Sequence, residues 1–109
     1  GEGVETMLAV YAVTGMPVWS TFSTGLMYSL VVPKNVKRVV IWADKDVSKG
    51  GETAALALRD RLIAEGFEVD VIFPEMEIEE GAKSVDWLDV LNKQGAKGFP
   101  SRYLRRKAA

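Results

Sequence analysis

The sequence predicts an α/β fold, a parallel sheet flanked by helices, and three observations carry that expectation. Val39-Val40-Ile41-Trp42 is a continuous apolar run of strand length, as in strands covered on both faces. Ala54, Leu58 and Leu62 then recur every fourth residue between Gly50-Gly51 and Gly66, which marks an amphipathic helix with a start and a stop. Glu68-Val69-Asp70-Val71-Ile72-Phe73 follows as a second strand pattern, and a strand, a helix and a strand in succession imply a crossover between parallel neighbours.

In chain order, residues 4–14 are apolar with helical spacing through Val4, Leu8, Tyr11 and Ala12, and Gly15 with Pro17 supplies the stop. Residues 18–22 read as a short strand, and 25–32 as one or two helical turns closed by Pro33-Lys34-Asn35. The central strand covers 36–43. The most sharply bounded helix covers 52–65, with Gly66 as a left-handed cap. The next strand covers 68–73 and breaks at Pro74. Ser84 is placed to cap a last helix reaching Lys93, with Val85, Leu88 and Leu91 facing the core and Gly95 ending it. The order is α-β-(α)-β-α-β-α. A helix opens it, although such units are normally fed by a strand.

A length of 109 residues suits one core. Residues 1–95 are expected to form one domain. Residues 96–109 are expected to be a basic tail or linker, since every charge beyond Val90 is positive. Trp19, Trp42 and Trp87 fall in strand or helix patterns and are read as core. Composition is that of a globular protein, 48% apolar and 27% charged, and no apolar run approaches a membrane span. No secretory pattern opens the chain, so a cytoplasmic address and no membrane partner are expected. With no cysteine and no histidine, disulfides, thiolate sites and imidazole bases are excluded. Chemistry must run on carboxylates, Lys, Arg, Ser, Thr or Tyr.

Open α/β sheets bind ligands beyond the carboxyl ends of their strands, which here means Asp44-Lys45-Asp46. Two carboxylates two residues apart at a strand mouth can aim at one point. Hard oxygen donors of this kind suit Mg²⁺, with Mn²⁺ the alternative. Gly50 and Gly51 allow close backbone approach at a helix start, where free N–H groups favour phosphate, and Lys45 and Lys49 are placed to touch it. Acidic pairs after strands also serve as turn formers and caps, so the pair alone does not decide. The spacing around Lys49 fits no P-loop, and no GxGxxG follows a strand.

The pattern becomes specific when three segments are taken together. Glu2-Gly3-Val4-Glu5-Thr6 with Leu8-Ala9, then the apolar strand ending in Asp44-Lys45-Asp46 before Gly50 and Ala54-Ala55, then Asp86-Trp87-Leu88-Asp89-Val90-Leu91 occur in order over residues 1 to about 95. They resemble the EG-x-E-T-x-L-A opening, the strand-DxD motif and the D-x-x-D-x-L close of the Toprim domain in plasmid- and phage-type DNA primases and primase-helicases. The resemblance implies a Rossmann-like sheet whose first strand precedes Glu2, and that strand is expected to be missing from this stretch of chain. It also implies Glu2, Asp44 and Asp46 as catalytic metal ligands. Glu5, Asp86 and Asp89 are auxiliary candidates. Some related primases place the second acid where this chain has Thr6.

The activity implied is Mg²⁺-dependent nucleotidyl transfer in RNA primer synthesis for DNA replication. Single-stranded DNA template, nucleoside triphosphates and a replicative helicase, separate or fused, are the implied partners. Because another domain normally grips the template, these 109 residues alone are expected to make no primers. Two alternatives remain. One is nuclease or topoisomerase chemistry on the same acids, although no tyrosine stands out as a nucleophile. The other is a silent regulatory module of receiver type, which would place its acidic pair after the first strand.

Overall fold

The computed structural model describes residues 4–18 and 30–104. Its first helix, α1 (Val4–Thr14), has the predicted bounds. Thr6, Met7, Ala9, Val10, Val13 and Thr14 are buried along one face, and Leu8 and Tyr11 are exposed on the other. The Thr14 hydroxyl donates to the Val10 carbonyl at 2.8 Å, and Gly15 leaves the helix at φ +70°, which a glycine adopts without strain. The segment 18–22, expected as a strand, lies outside the described residues apart from Val18, which is irregular. So do Trp19 and most of the helical turns expected over 25–32.

Strand β1 (Arg38–Trp42) pairs in parallel with β3 (Glu68–Ile72), in register from Arg38↔Glu68 to Trp42↔Ile72. Between them runs helix α2 (Gly50–Ala64). Strand alternation splits β1 between two cores. Val39, Ile41 and Ala43 meet Ala54, Ala55, Leu58 and Leu62 of α2, while Val40 and Trp42 meet Met7, Val10 and Val13 of α1 on the opposite face. Helices on both faces explain why the β1 sequence is apolar without interruption. The α/β expectation of a parallel sheet flanked by helices therefore holds. Among the described residues, β1 and β3 pair only with each other.

Helix α2 ends at Ala64, and Glu65 is its C-cap before Gly66 turns the chain. The Gly66 amide donates to the Ile63 carbonyl at 3.0 Å and the Phe67 amide to the Leu62 carbonyl at 3.1 Å, with Gly66 at φ +99°. This pair of bonds satisfies carbonyls the helix would leave open, and Phe67 packs back near Leu62.

Two short strands escape the periodicity. Strand β2 (Lys45–Asp46) pairs antiparallel with β4 (Ser84–Val85), Lys45 opposite Val85 and Asp46 opposite Ser84. The last helix, α3, runs Trp87–Gln94, so it begins later than expected, and Asp86 caps it in place of Ser84, which belongs to β4. The reason is chemical. The Asp86 carboxylate accepts from the Asp89 amide at 2.8 Å while the Asp89 carboxylate accepts from the Asp86 amide at 3.0 Å, a reciprocal capping box.

Gly95 ends α3 as expected, and two 3₁₀ turns follow, Ala96–Gly98 and Ser101–Tyr103. The stretch expected to be a solvated tail is packed onto the core as far as Tyr103. Phe99 and Tyr103 are buried against Trp42 and Trp87, with ring centroids 5.8 Å (Phe99) and 5.6 Å (Tyr103) from Trp42. Trp42 and Trp87 meet edge to face at 5.0 Å, as aromatic quadrupoles prefer. No helix among the described residues is long and apolar enough to cross a membrane.

Candidate metal centre

The carboxyl end of β1 is fixed by one bond beyond the strand, from the Ala43 amide to the Ile72 carbonyl at 3.0 Å. Asp44 comes next, half-buried, and Asp46 follows on β2, also half-buried. Both acids thus lie where parallel sheets bind ligands, between β1 and the start of α2.

Asp46 is held on both oxygens. Its Oδ2 accepts the Gly51 amide at 3.1 Å and its Oδ1 accepts the Ser48 hydroxyl at 3.2 Å. The Ser48 oxygen in turn accepts the Gly50 amide at 3.3 Å. These bonds hold the Asp46 carboxylate against the amino end of α2, where the helix dipole is positive. The loop turns through Lys49 at φ 61° and ψ 14°, the only non-glycine residue with positive φ among those described. For a lysine this costs about 1 kcal/mol. A Cβ at Gly51 would stand 2.8 Å from Asp46 Oδ2, so any larger residue there would displace the Asp46 carboxylate.

The other predicted residues divide. The Lys45 ammonium bonds the Met76 carbonyl at 3.3 Å, tying β2 to the segment after β3. Lys49 is exposed beside the acidic loop. The amides of Gly50 and Gly51, expected to meet phosphate, are engaged by Ser48 and Asp46. Glu5 is exposed in the first turn of α1, and Glu2 lies outside the described residues. Asp86 and Asp89 spend a carboxylate oxygen each on the α3 cap. Among the described residues no three acidic groups gather as a metal-holding cluster, and of the predicted acids Asp44 and Asp46 are the ones at the carboxyl end of β1.

Two networks were not anticipated. The first is the Ser48 clamp on Asp46. An Asp-x-Ser spacing before a helix is its signal, since serine hydroxyls bond neighbouring backbone and carboxylate groups in such turns. The second joins both strands to the C-terminal turn. The Tyr103 hydroxyl donates to Asp70 Oδ2 at 2.5 Å and accepts from Arg38 at 2.9 Å, and Arg102 also reaches Asp70 at 3.0 Å. The Tyr103 bond, with Arg102 assisting, holds the Asp70 carboxyl below its ordinary range against the opposing effect of partial burial.

The donor set fits a hard divalent cation. Each Asp46 oxygen accepts one hydrogen bond and keeps a further acceptor site, and Mg²⁺ typically takes one or two carboxylates and completes its shell with water and phosphate. Comparison with curated proteins and with solved structures gives no match. A family model describing the Toprim domain matches residues 1–97. Toprim domains occur in primases, nucleases and topoisomerases, are typically catalytic on nucleic acids, and in general bind divalent metals such as Mg²⁺. With that match running from the first residue past the end of α3, and with a DxD pair at the mouth of β1, the chain belongs to the Toprim domain family.

Proposed function

We propose that this domain holds the divalent cations of a plasmid- or phage-type DNA primase during RNA primer synthesis. The observation that supports this most is the placement of Asp44 and Asp46 at the carboxyl end of β1, with Asp46 oriented by the Gly51 amide of α2. The opening segment at Glu2 and the closing Asp86–Leu91 segment favour the primase branch, because they follow that branch's order and spacing.

In this reading Asp44 and Asp46 supply carboxylate oxygens and Glu2 a third. A bound Mg²⁺ or Mn²⁺ would contribute charge neutralisation on the triphosphate and activation of the primer 3′-hydroxyl. The protein's part is orientation. Asp46 is fixed by Ser48 and Gly51, and Asp44 is set by the β1–β3 ladder. Lys49, exposed at the rim of the loop, offers its ammonium to phosphate, whereas Lys45 is drawn to Met76. Single-stranded template, nucleoside triphosphates and a helicase are the proposed partners, and the template grip belongs to another domain.

The test is primer synthesis on single-stranded DNA by the full-length protein and its Asp44→Ala and Asp46→Ala variants. Loss of primers in both, with binding to single-stranded DNA retained, is expected. Metal-dependent cleavage of DNA without primer synthesis would instead select the nuclease alternative.

A further inference from the structure

We propose that Ser48 is a positioning residue for Asp46, fixing the rotation of its carboxylate so that the free acceptor sites face the cation; this rests on the metal reading of Asp46. Ser48 carries no charge, is exposed, and forms no part of the DxD pattern. Its hydroxyl nevertheless makes one bond as donor and one as acceptor within the loop. The oxygen accepts the Gly50 amide at 3.3 Å, which leaves its single proton for Asp46 Oδ1 at 3.2 Å.

An aspartate carboxylate rotates in a broad well about its last torsion, so a single bond would leave it loose. Here the two oxygens are held by different groups, Oδ1 by a side chain and Oδ2 by the Gly51 amide at 3.1 Å. Together they define the carboxylate plane. The backbone maintains this arrangement at some cost. Lys49 adopts a left-handed conformation, φ 61°, that turns the Gly50 and Gly51 amides back toward Ser48 and Asp46. The Lys49 amide to the Asp46 carbonyl at 3.3 Å, and the Thr53 amide to the Lys49 carbonyl at 2.9 Å, close the loop on both sides. The ligand is thus oriented before a cation arrives, and ordering it on binding costs less.

Partners that orient a metal-binding carboxylate typically contribute 10- to 100-fold to metal affinity, and an exposed hydroxyl should fall below that range, at about fivefold. The experiment is calorimetric titration of the full chain with MgCl₂, run beside amide NMR spectra of the metal-free protein. Native chain, Ser48→Ala, Ser48→Thr and Asp46→Asn are compared.

Ser48→Ala should weaken Mg²⁺ about fivefold and move the Gly51 amide resonance before any metal is added. Ser48→Thr keeps the hydroxyl and should bind within about twofold of native. Asp46→Asn should bind far more weakly. If Ser48→Ala binds like native while Asp46→Asn does not, the positioning role is wrong and the metal reading stands, whatever Ser48→Ala does to the melting temperature. Failure of Ser48→Thr to restore affinity also overturns the role, since the hydroxyl would not be the operative group. Native affinity in Asp46→Asn overturns the metal reading and this proposal together.

Discussion

Gly50→Ala and Gly51→Ala, one residue apart at the start of α2, should shift stability in opposite directions. Replacing a helical glycine with alanine ordinarily stabilises by about 0.5–1 kcal/mol, because the unfolded chain loses more freedom. At position 50 nothing opposes that gain. The site is exposed, and the new Cβ would lie at an ordinary 3.6 Å from Ser48 Oγ. At position 51 the Cβ would stand 2.8 Å from Asp46 Oδ2, so the carboxylate must swing away. That movement gives up the Gly51 amide bond and the Ser48 hydroxyl bond, a loss of about 1–2 kcal/mol for a helix cap of this kind. The net for Gly51→Ala is a loss of about 0.5–1 kcal/mol, which sets the two variants about 1–2 kcal/mol apart. At about 4 °C per kcal/mol the melting temperatures should differ by about 4–8 °C. The assay is thermal unfolding by far-UV circular dichroism in metal-free buffer. If Gly51→Ala melts as high as Gly50→Ala, Asp46 does not rest on the α2 amide and the described loop geometry is wrong.

Asp44→Asn removes one proposed metal carboxylate while keeping the shape of the side chain. Mg²⁺ at ten times its dissociation constant should then stabilise the native chain by about 1.4 kcal/mol and the variant by almost nothing. Paired melts at matched ionic strength check this, and equal responses would refute it. Asp86→Ala should cost about 1 kcal/mol with or without Mg²⁺, as loss of a cap does; a change in the Mg²⁺ response would show a metal role for Asp86. Tyr103→Phe should cost about 1–2 kcal/mol at neutral pH, since both Asp70 and Arg38 lose a partner. The Asp70 carboxyl titrates below its ordinary 3.8 in the folded protein, chiefly through Tyr103, so its stabilising contribution is present above that value and fades as the pH falls through the lowered one. Denaturant melts across that acid range should therefore fall less steeply in Tyr103→Phe, and parallel curves would refute the coupling.

The elements legible in the sequence were those whose pattern is long and whose ends carry chemistry. Helix α1 stops at Gly15, α2 stops at Gly66, and β1 and β3 are the two runs of strand length. Strands β2 and β4, two residues each, are too short for any period to register. Ser84 looked like a cap because serine commonly is one. The preference went to Asp86, whose partner Asp89 sits at the spacing that lets two caps reciprocate. Phe99 and Tyr103 were hidden by their neighbours, for isolated aromatics among Lys97, Arg102 and Pro100 show no apolar face until the chain folds back on Trp42. At the site, the acids were legible because they follow a strand. The clamp was not, since Lys49 in a left-handed conformation is a choice of the loop rather than of lysine.

The tie made by Tyr103 has a consequence for the order in which the protein is made. Trp42 is made well before the ring that covers it and the hydroxyl that joins Arg38 to Asp70, both of which belong to Tyr103. At about 5–20 residues per second, Trp42 waits about 3–12 s on the ribosome for its final neighbour. Once β3 has been made, β1 and β3 can pair through local chain, while the Trp42 side of the sheet still lacks Phe99 and Tyr103. Closure of the aromatic core therefore waits for residue 103, and slowing synthesis between Gly95 and Tyr103 should lengthen the time Trp42 spends exposed to holdases and proteases.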